Sequence, residues 1–139
     1  MSKTPTYKRF FTPSEANGLL DELRNMLMTA KRLLEEAREA SRLLEQATTD
    51  EARSDAYCLI EERRRTINQI LSQMRQKGVE IKTLEPLTIN FPALRNGQLV
   101  YLCWCEGETV INTWHPLHAS LRERQKLDPK QMGYWEWCN

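Results

Sequence analysis

From Thr12 to Gly78 apolar side chains return at alternating steps of three and four residues, and no other feature restricts the fold as tightly. Leu20, Leu23, Leu27, Ala30, Leu34, Ala37, Ser41 and Leu44 form one such column, the pattern of a coiled-coil-like helical seam. Thr12-Pro13-Ser14-Glu15 supplies its start: a capping threonine, a proline at the first helical position, and a glutamate placed to satisfy the threonine amide in return. The spacing predicts a first helix from Pro13 to about Ala47. Thr48-Thr49-Asp50 breaks the pattern with residues that favour caps and turns, Thr49 or Asp50 being the cap of a second helix. Ala56, Ile60, Arg63, Ile67, Ile70 and Met74 carry that helix to Gly78, a residue suited to a left-handed helix end. An antiparallel helical hairpin over 12–78 follows.

Beyond Gly78 the period becomes two. Val79, Ile81 and Leu84 alternate with polar neighbours, and β-branched and aromatic residues dominate as far as Trp114. Breaks at Glu85-Pro86, Asn96-Gly97 and Glu106-Gly107-Glu108 divide residues 79–115 into about four strands of an antiparallel sheet. The expected class is α+β: an N-terminal long antiparallel helical hairpin packed on a C-terminal antiparallel sheet. A single domain spans 1–127, and 128–139 form an aromatic tail with Tyr134, Trp135 and Trp137.

Charge and composition narrow the function. The chain has 139 residues, 20 basic and 19 acidic groups, and a formal charge of +1, so no electrostatic case exists for nucleic acid or an anionic membrane. The residues from 12 to 78 hold 11 basic and 12 acidic groups, which leaves 9 and 7 elsewhere. Arg63-Arg64-Arg65 follows Glu61-Glu62 and reads as a self-paired solvated face. No apolar run reaches the length of a membrane span, and residues 1–11 lack a signal-peptide core, so a cytoplasmic protein is expected. Its four cysteines are then free thiols, with Cys58 expected in a helix core and Cys138 in the tail.

Several stretches along the chain resemble a known family. Phe11-Thr12-Pro13-Ser14-Glu15-Ala16-Asn17, Gly78-Val79-Glu80-Ile81-Lys82, and Phe91-Pro92-Ala93-Leu94-Arg95-Asn96-Gly97 leading to Val100-Tyr101-Leu102-Cys103-Trp104 carry the likeness. Gly107-Glu108, Trp114-His115, Leu117 and Arg124-Gln125 extend it. On these residues the chain resembles the uncharacterised bacterial family catalogued as domain of unknown function 2203, over about residues 10–127. The resemblance implies a helical hairpin with a sheet and a bacterial cytoplasmic setting, and it brings no activity. Cys105 stands where that family often has arginine, and His118 where an acidic residue is more usual.

Chemistry-bearing residues are few. The five glycines are isolated, which excludes phosphate-cradling loops, and neither a Gly-x-Ser-x-Gly elbow nor a His-Glu-x-x-His helix occurs. No catalytic residue and no cofactor is assigned, and a non-enzymatic role is favoured. A zinc tetrad from Cys103, Cys105, His115 and His118 is weighed against register: a short turn after Cys105 sets Cys103 opposite Ile111 and Leu99 opposite His115. That separates the groups by roughly 10 to 13 Å at about 3.3 Å per residue. His115 and His118 alone remain a candidate divalent-metal pair, completed by Glu80, Glu85 or Glu123. Arg95, Trp104, Trp114, His115 and Arg124 are the candidate ligand or partner surface.

The helices point to association. At about 1.5 Å per residue the first would run about 52 Å, against about 23 Å for seven-residue strands. A second apolar column of Leu19, Met26, Leu33, Ala40 and Ala47 widens the stripe beyond what one partner helix covers. The expected occupant is a second copy, giving a homodimer through the hairpin, with a protein partner as the alternative. The expected function is therefore a self-associating or partner-binding module, and the runner-up is a metal or small-ligand site at His115.

Overall fold

A computed structural model describes residues 9–117, 119, 121–127 and 135–136. Helix α1 spans Pro13–Gln46 and α2 Asp50–Gln76. Strands follow at Glu80–Leu84 (β1), Leu87–Arg95 (β2), Gln98–Cys105 (β3) and Thr113–Pro116 (β4). Two further two-residue strands, Gln125–Lys126 (β5) and Trp135–Glu136 (β6), lie outside the sheet region expected from the sequence. The sheet is antiparallel in the order β1-β2-β3-β4-β5, with β6 paired to β2.

The local signals act as their chemistry requires. Thr12 Oγ1 accepts from the Glu15 amide at 3.2 Å, and Glu15 Oε1 accepts from the Thr12 amide at 3.0 Å. Thr49 is the cap of α2, its hydroxyl accepting from the Ala52 amide at 3.1 Å. Gly78 ends α2 at φ 97°, and a Cβ there would meet Arg9 Cβ at 3.2 Å, so glycine serves both the turn and the close approach. Asn96 and Gly97 both take positive φ, the two-residue turn that matches strand twist between β2 and β3.

The described residues form two compact units. The first takes those up to Leu23 and from Met74 onward, and the second is Arg24–Gln73. In the first, Phe11, Ala16, Leu20, Leu23, Met74, Leu87, Ile89, Phe91, Leu102 and Ile111 are buried. Phe11 meets Phe91 edge to face at 5.3 Å, and its amide donates to Pro92 O at 2.7 Å. That carbonyl lies on the β2 edge between the stretches paired with β1 and β6, where proline has no amide to offer. Asn17 ties α1 to the chain before β4: its Oδ1 accepts from the Ile111 amide at 2.7 Å and its Nδ2 donates to Ile111 O at 3.1 Å.

In the second unit Ala30, Leu33 and Ile67 form a cluster joined by Leu34, Ile70 and Leu71. Leu33 and Ala40 are 8% and 1% exposed, whereas Leu34 is half-buried and Ser41 exposed. Here the seam follows 33, 37, 40, 44 and 47 and departs from the column through 34 and 41. At about 100° per residue, Leu33 and Ala40 lie about a third of a turn around α1 from Leu20 and Leu23. The wide stripe thus contributes to both units' cores: Leu33 and Ala40 are buried within the chain itself, and Leu19, Met26 and Ala47 are half-buried. Cys58 is exposed, contrary to expectation, because it falls about 200° around α2 from Ala56. Arg63 Nε lies 3.3 Å from Glu36 Oε2; the two are within ion-pair range, but the buried N–H is not aligned as a hydrogen bond. Arg64 pairs with Glu61, three positions back.

Replacing Asn17 with alanine removes both bonds to Ile111. We expect a loss of about 1–3 kcal/mol in urea unfolding, while Asn17→Asp retains the acceptor for the Ile111 amide and loses less.

Candidate functional site on the polar sheet face

Strand alternation sorts the sheet into two chemically distinct faces. Ile89 pairs with Trp104, Phe91 with Leu102, and Leu102 with Trp114, so these residues share one face with Val100 and Ala93. On the other face, Thr88 pairs with Cys105, Asn90 with Cys103, Cys103 with Thr113, and Tyr101 with His115. The first face is apolar and holds the core. The second gathers nearly every reactive side chain of the described strands.

This division separates the residues grouped by sequence reasoning. Trp104 is 3% exposed and donates its indole N–H to Glu108 O at 2.8 Å. Trp114 is buried beneath the Arg95 guanidinium, which stacks 4.5 Å from its ring. Both tryptophans therefore face away from His115, and Arg95, Trp104, Trp114 and His115 are not one surface. His115 and Arg124 do belong to the polar face.

The register also differs from expectation. Cys103 lies opposite Thr113 and His115 opposite Tyr101, because residues 106–112 make a long excursion in place of a tight turn. Glu108 folds it at one end, its amide bonding to Cys105 O at 3.0 Å and its Oε1 accepting from the Cys105 amide at 2.7 Å. Asn17 holds the other end through Ile111. His115 is consequently two residues along from Cys103, about 7 Å at about 3.3 Å per residue, nearer than the short-turn register allows.

His115 and Asn90 are 4% and 2% exposed, and His115 Nε2 is 3.4 Å from Asn90 Oδ1. The Nδ1 atom is 2.9 Å from Pro116 O, an acceptor, so Nδ1 carries the proton. Tyr101 lies 5.5 Å from the imidazole, ring to ring. With Lys82, Thr83, Leu117 and Ala119 these residues line a cleft of about 220 Å³. Among the described residues no group of three or more His, Cys, Asp or Glu side chains is placed to hold a metal ion, so Glu80, Glu85 and Glu123 do not complete a site with His115. His118 lies outside the described residues.

Beside the cleft stands a second cluster. Cys103 Sγ and Cys105 Sγ are 4.0 Å apart. Arg124 Nη1 donates to Cys105 Sγ at 3.3 Å, to both Glu108 carboxylate oxygens at 3.2 and 3.3 Å, and to Thr113 Oγ1 at 3.4 Å. Burial chiefly, and then the neighbouring Cys105, push the Cys103 thiol up to about 12, against a weaker pull from Arg124. Arg124 itself holds its proton more tightly than usual: burial works against this, but the charges of Cys105, Glu108 and Cys103 prevail. Strand alternation sets Cys103 and Cys105 on one face, and the sequence singled out Arg124 as a surface residue, but nothing in it joined Arg124, Glu108 and Thr113 to the cysteines, because they meet only through the fold.

A family model described as an uncharacterized conserved protein (DUF2203) matches residues 9–127. The chain belongs to this family. No curated protein and no solved structure matches the chain. The DUF2203 match spans both helices, β1 through β5, and both polar clusters, which places the candidate site inside the family's shared region.

The raised Cys103 thiol has a consequence for stability. An unfolded chain releases this proton near the ordinary value of 9.0 while the folded chain keeps it to about 12. Folding stability is therefore fully supported below pH 9 and falls as pH rises through that interval. Urea unfolding at several alkaline pH values should show this decline in the wild type and a flatter curve for Cys103→Ala.

Proposed function

We propose that this DUF2203 protein is a non-enzymatic self-associating module, dimerising in the bacterial cytoplasm through its helical hairpin. The observation supporting this is an uncovered apolar groove in the Arg24–Gln73 unit. Leu43 is 52% exposed there, beside a cleft of about 540 Å³ to which Ala47, Ala52, Ala56 and Leu59 also contribute. Of the five residues expected to mediate association, Ala47 lines this groove, and Leu43 replaces the buried Leu33 and Ala40 as its apolar centre.

Charge favours a second copy as the occupant. The hairpin's 11 basic and 12 acidic groups are interspersed, so no patch of one sign selects a partner of the other. Two-fold pairing brings each apolar groove against its own equivalent. Among the described residues no helix is long and apolar enough to cross a membrane. Light scattering on the eluting protein should give twice the chain mass, and Leu43→Glu should give the monomer mass with unchanged helical circular dichroism. A wild-type monomer throughout a dilution series, or an unaffected dimer in the variant, would refute this reading.

A second reading, a small-ligand protein, is supported by the buried His115–Asn90 pair opening on its own cleft. At about 220 Å³ the cleft is smaller than a drug-sized pocket and suits a compact polar molecule, with Lys82 at its margin favouring an anion. Thermal unfolding with acetate and with phosphate checks it. One anion should raise the melting temperature of the wild type and leave His115→Ala unchanged; equal shifts in both proteins would exclude the site.

A further inference from the structure

The polar sheet face places two thiols of unequal access side by side, and neither proposed function uses them. Cys105 is half-buried at the last position of β3, whereas Cys103 is fully buried two residues earlier. Their sulfurs are 4.0 Å apart. Arg124 directs an N–H at Cys105 Sγ, and Glu108 holds both the guanidinium and the Cys105 amide. We propose that Cys103 and Cys105 are a thiol–disulfide couple that exchanges with low-molecular-weight disulfides, with Cys105 the attacking thiol, Cys103 the resolving thiol, and Arg124 a positioning residue.

Each step balances. The Cys105 sulfur, as its thiolate, attacks one sulfur of a disulfide such as oxidised glutathione; a mixed disulfide forms and one glutathione thiolate leaves, taking up a proton. Cys103 then attacks Cys105 Sγ as its proton passes to the departing glutathione sulfur, which leaves as the second thiol. The protein has lost two thiols to one disulfide, and oxidised glutathione has been reduced to two molecules of glutathione. In the reverse direction the same pair reduces nothing and is itself reduced by two thiols.

The assignment of roles follows from access and charge. An incoming disulfide reaches Cys105 first, because Cys103 lies beneath the strand surface. The Arg124 N–H offers a charge-assisted hydrogen bond to sulfur in its anionic form, both when Cys105 attacks and when it departs on reduction. Geometry sets the character of the bond. Residues i and i+2 of a strand are about 6.7 Å apart between Cα atoms, near the upper end of the usual disulfide span. Cys105 is the last β3 residue before the Glu106-Gly107 reversal, so closing the remaining gap displaces the end of a strand and not its centre. The product is a strained disulfide that thiols readily reduce, as a reversible couple requires.

The test uses the full chain with Cys58→Ser and Cys138→Ser, so that only this pair reports. After incubation with oxidised glutathione and an acid quench, intact-mass analysis should show loss of two hydrogens and a linked Cys103–Cys105 peptide, with no lasting adduct. Cys103→Ser should hold one glutathione on Cys105, and Cys105→Ser should hold none. Arg124→Gln should slow the first step by about tenfold or more without changing the product. Thiols that stay reduced, or a stable adduct that accumulates while Cys103 is present, would overturn the proposal. Both of those outcomes are read on the protein with an intact pair, so poor folding of a variant cannot obscure them.

Discussion

Two hydrogen bonds from one side chain, Asn17, to the backbone of Ile111 govern how the sheet is completed. They bind the chain after Gly107 to the first turns of α1 and draw residues 109–112 away from a tight hairpin. With Glu108 bonding back to Cys105 at the other end, the excursion acquires a fixed length and β4 a fixed register. A shift of one residue would move every β4 side chain to the opposite face, exchanging Trp114 with His115. One buried tryptophan would then meet the polar cluster, and the imidazole would enter the apolar core. The polar face therefore depends on an asparagine far from it in sequence.

That face concentrates polar and sulfur-bearing side chains because the other face absorbs the apolar burial. Phe91, Leu102, Ile89 and Trp104 fill one side of the central strands, and Phe11 packs onto them. Buried polar groups such as Asn90 and His115 persist on the opposite side by pairing with one another and with Pro116 O. Arg124 does the same for the thiol cluster by serving Cys105, Glu108 and Thr113 at once. Satisfied groups of this kind narrow the conformations available to the sheet, and they also place proton donors, acceptors and sulfur within a few ångströms of each other.

Helix α1 shows how one periodic pattern serves two different environments. Ala16, Leu20 and Leu23 are buried in the unit that contains the sheet, and Ala30, Leu33 and Ala40 in the unit formed by the two helices alone. Ala30 still lies within about 20° of Leu23, whereas Leu33 and Ala40 have turned about a third of a turn from Leu20 and Leu23. A stripe wide enough for both looks, in sequence, like a face awaiting another subunit. Its real surplus is smaller and lies around Leu43.

Sequence by itself determined what depends on neighbours a few residues away. The Thr12–Glu15 capping box, the Thr49 cap, the left-handed Gly78 and the Asn96-Gly97 turn are all local geometry, and the boundaries of both helices and of β1 to β3 follow from them. Alternation likewise set Cys103 and Cys105 on one face. Tertiary structure alone decided which faces are shared across strands, because register depends on the length of the 106–112 excursion and that length on Asn17. It also decided the fate of Leu33 and Ala40: periodicity states which side of a helix is apolar, whereas the identity of what covers it is settled only when distant segments pack.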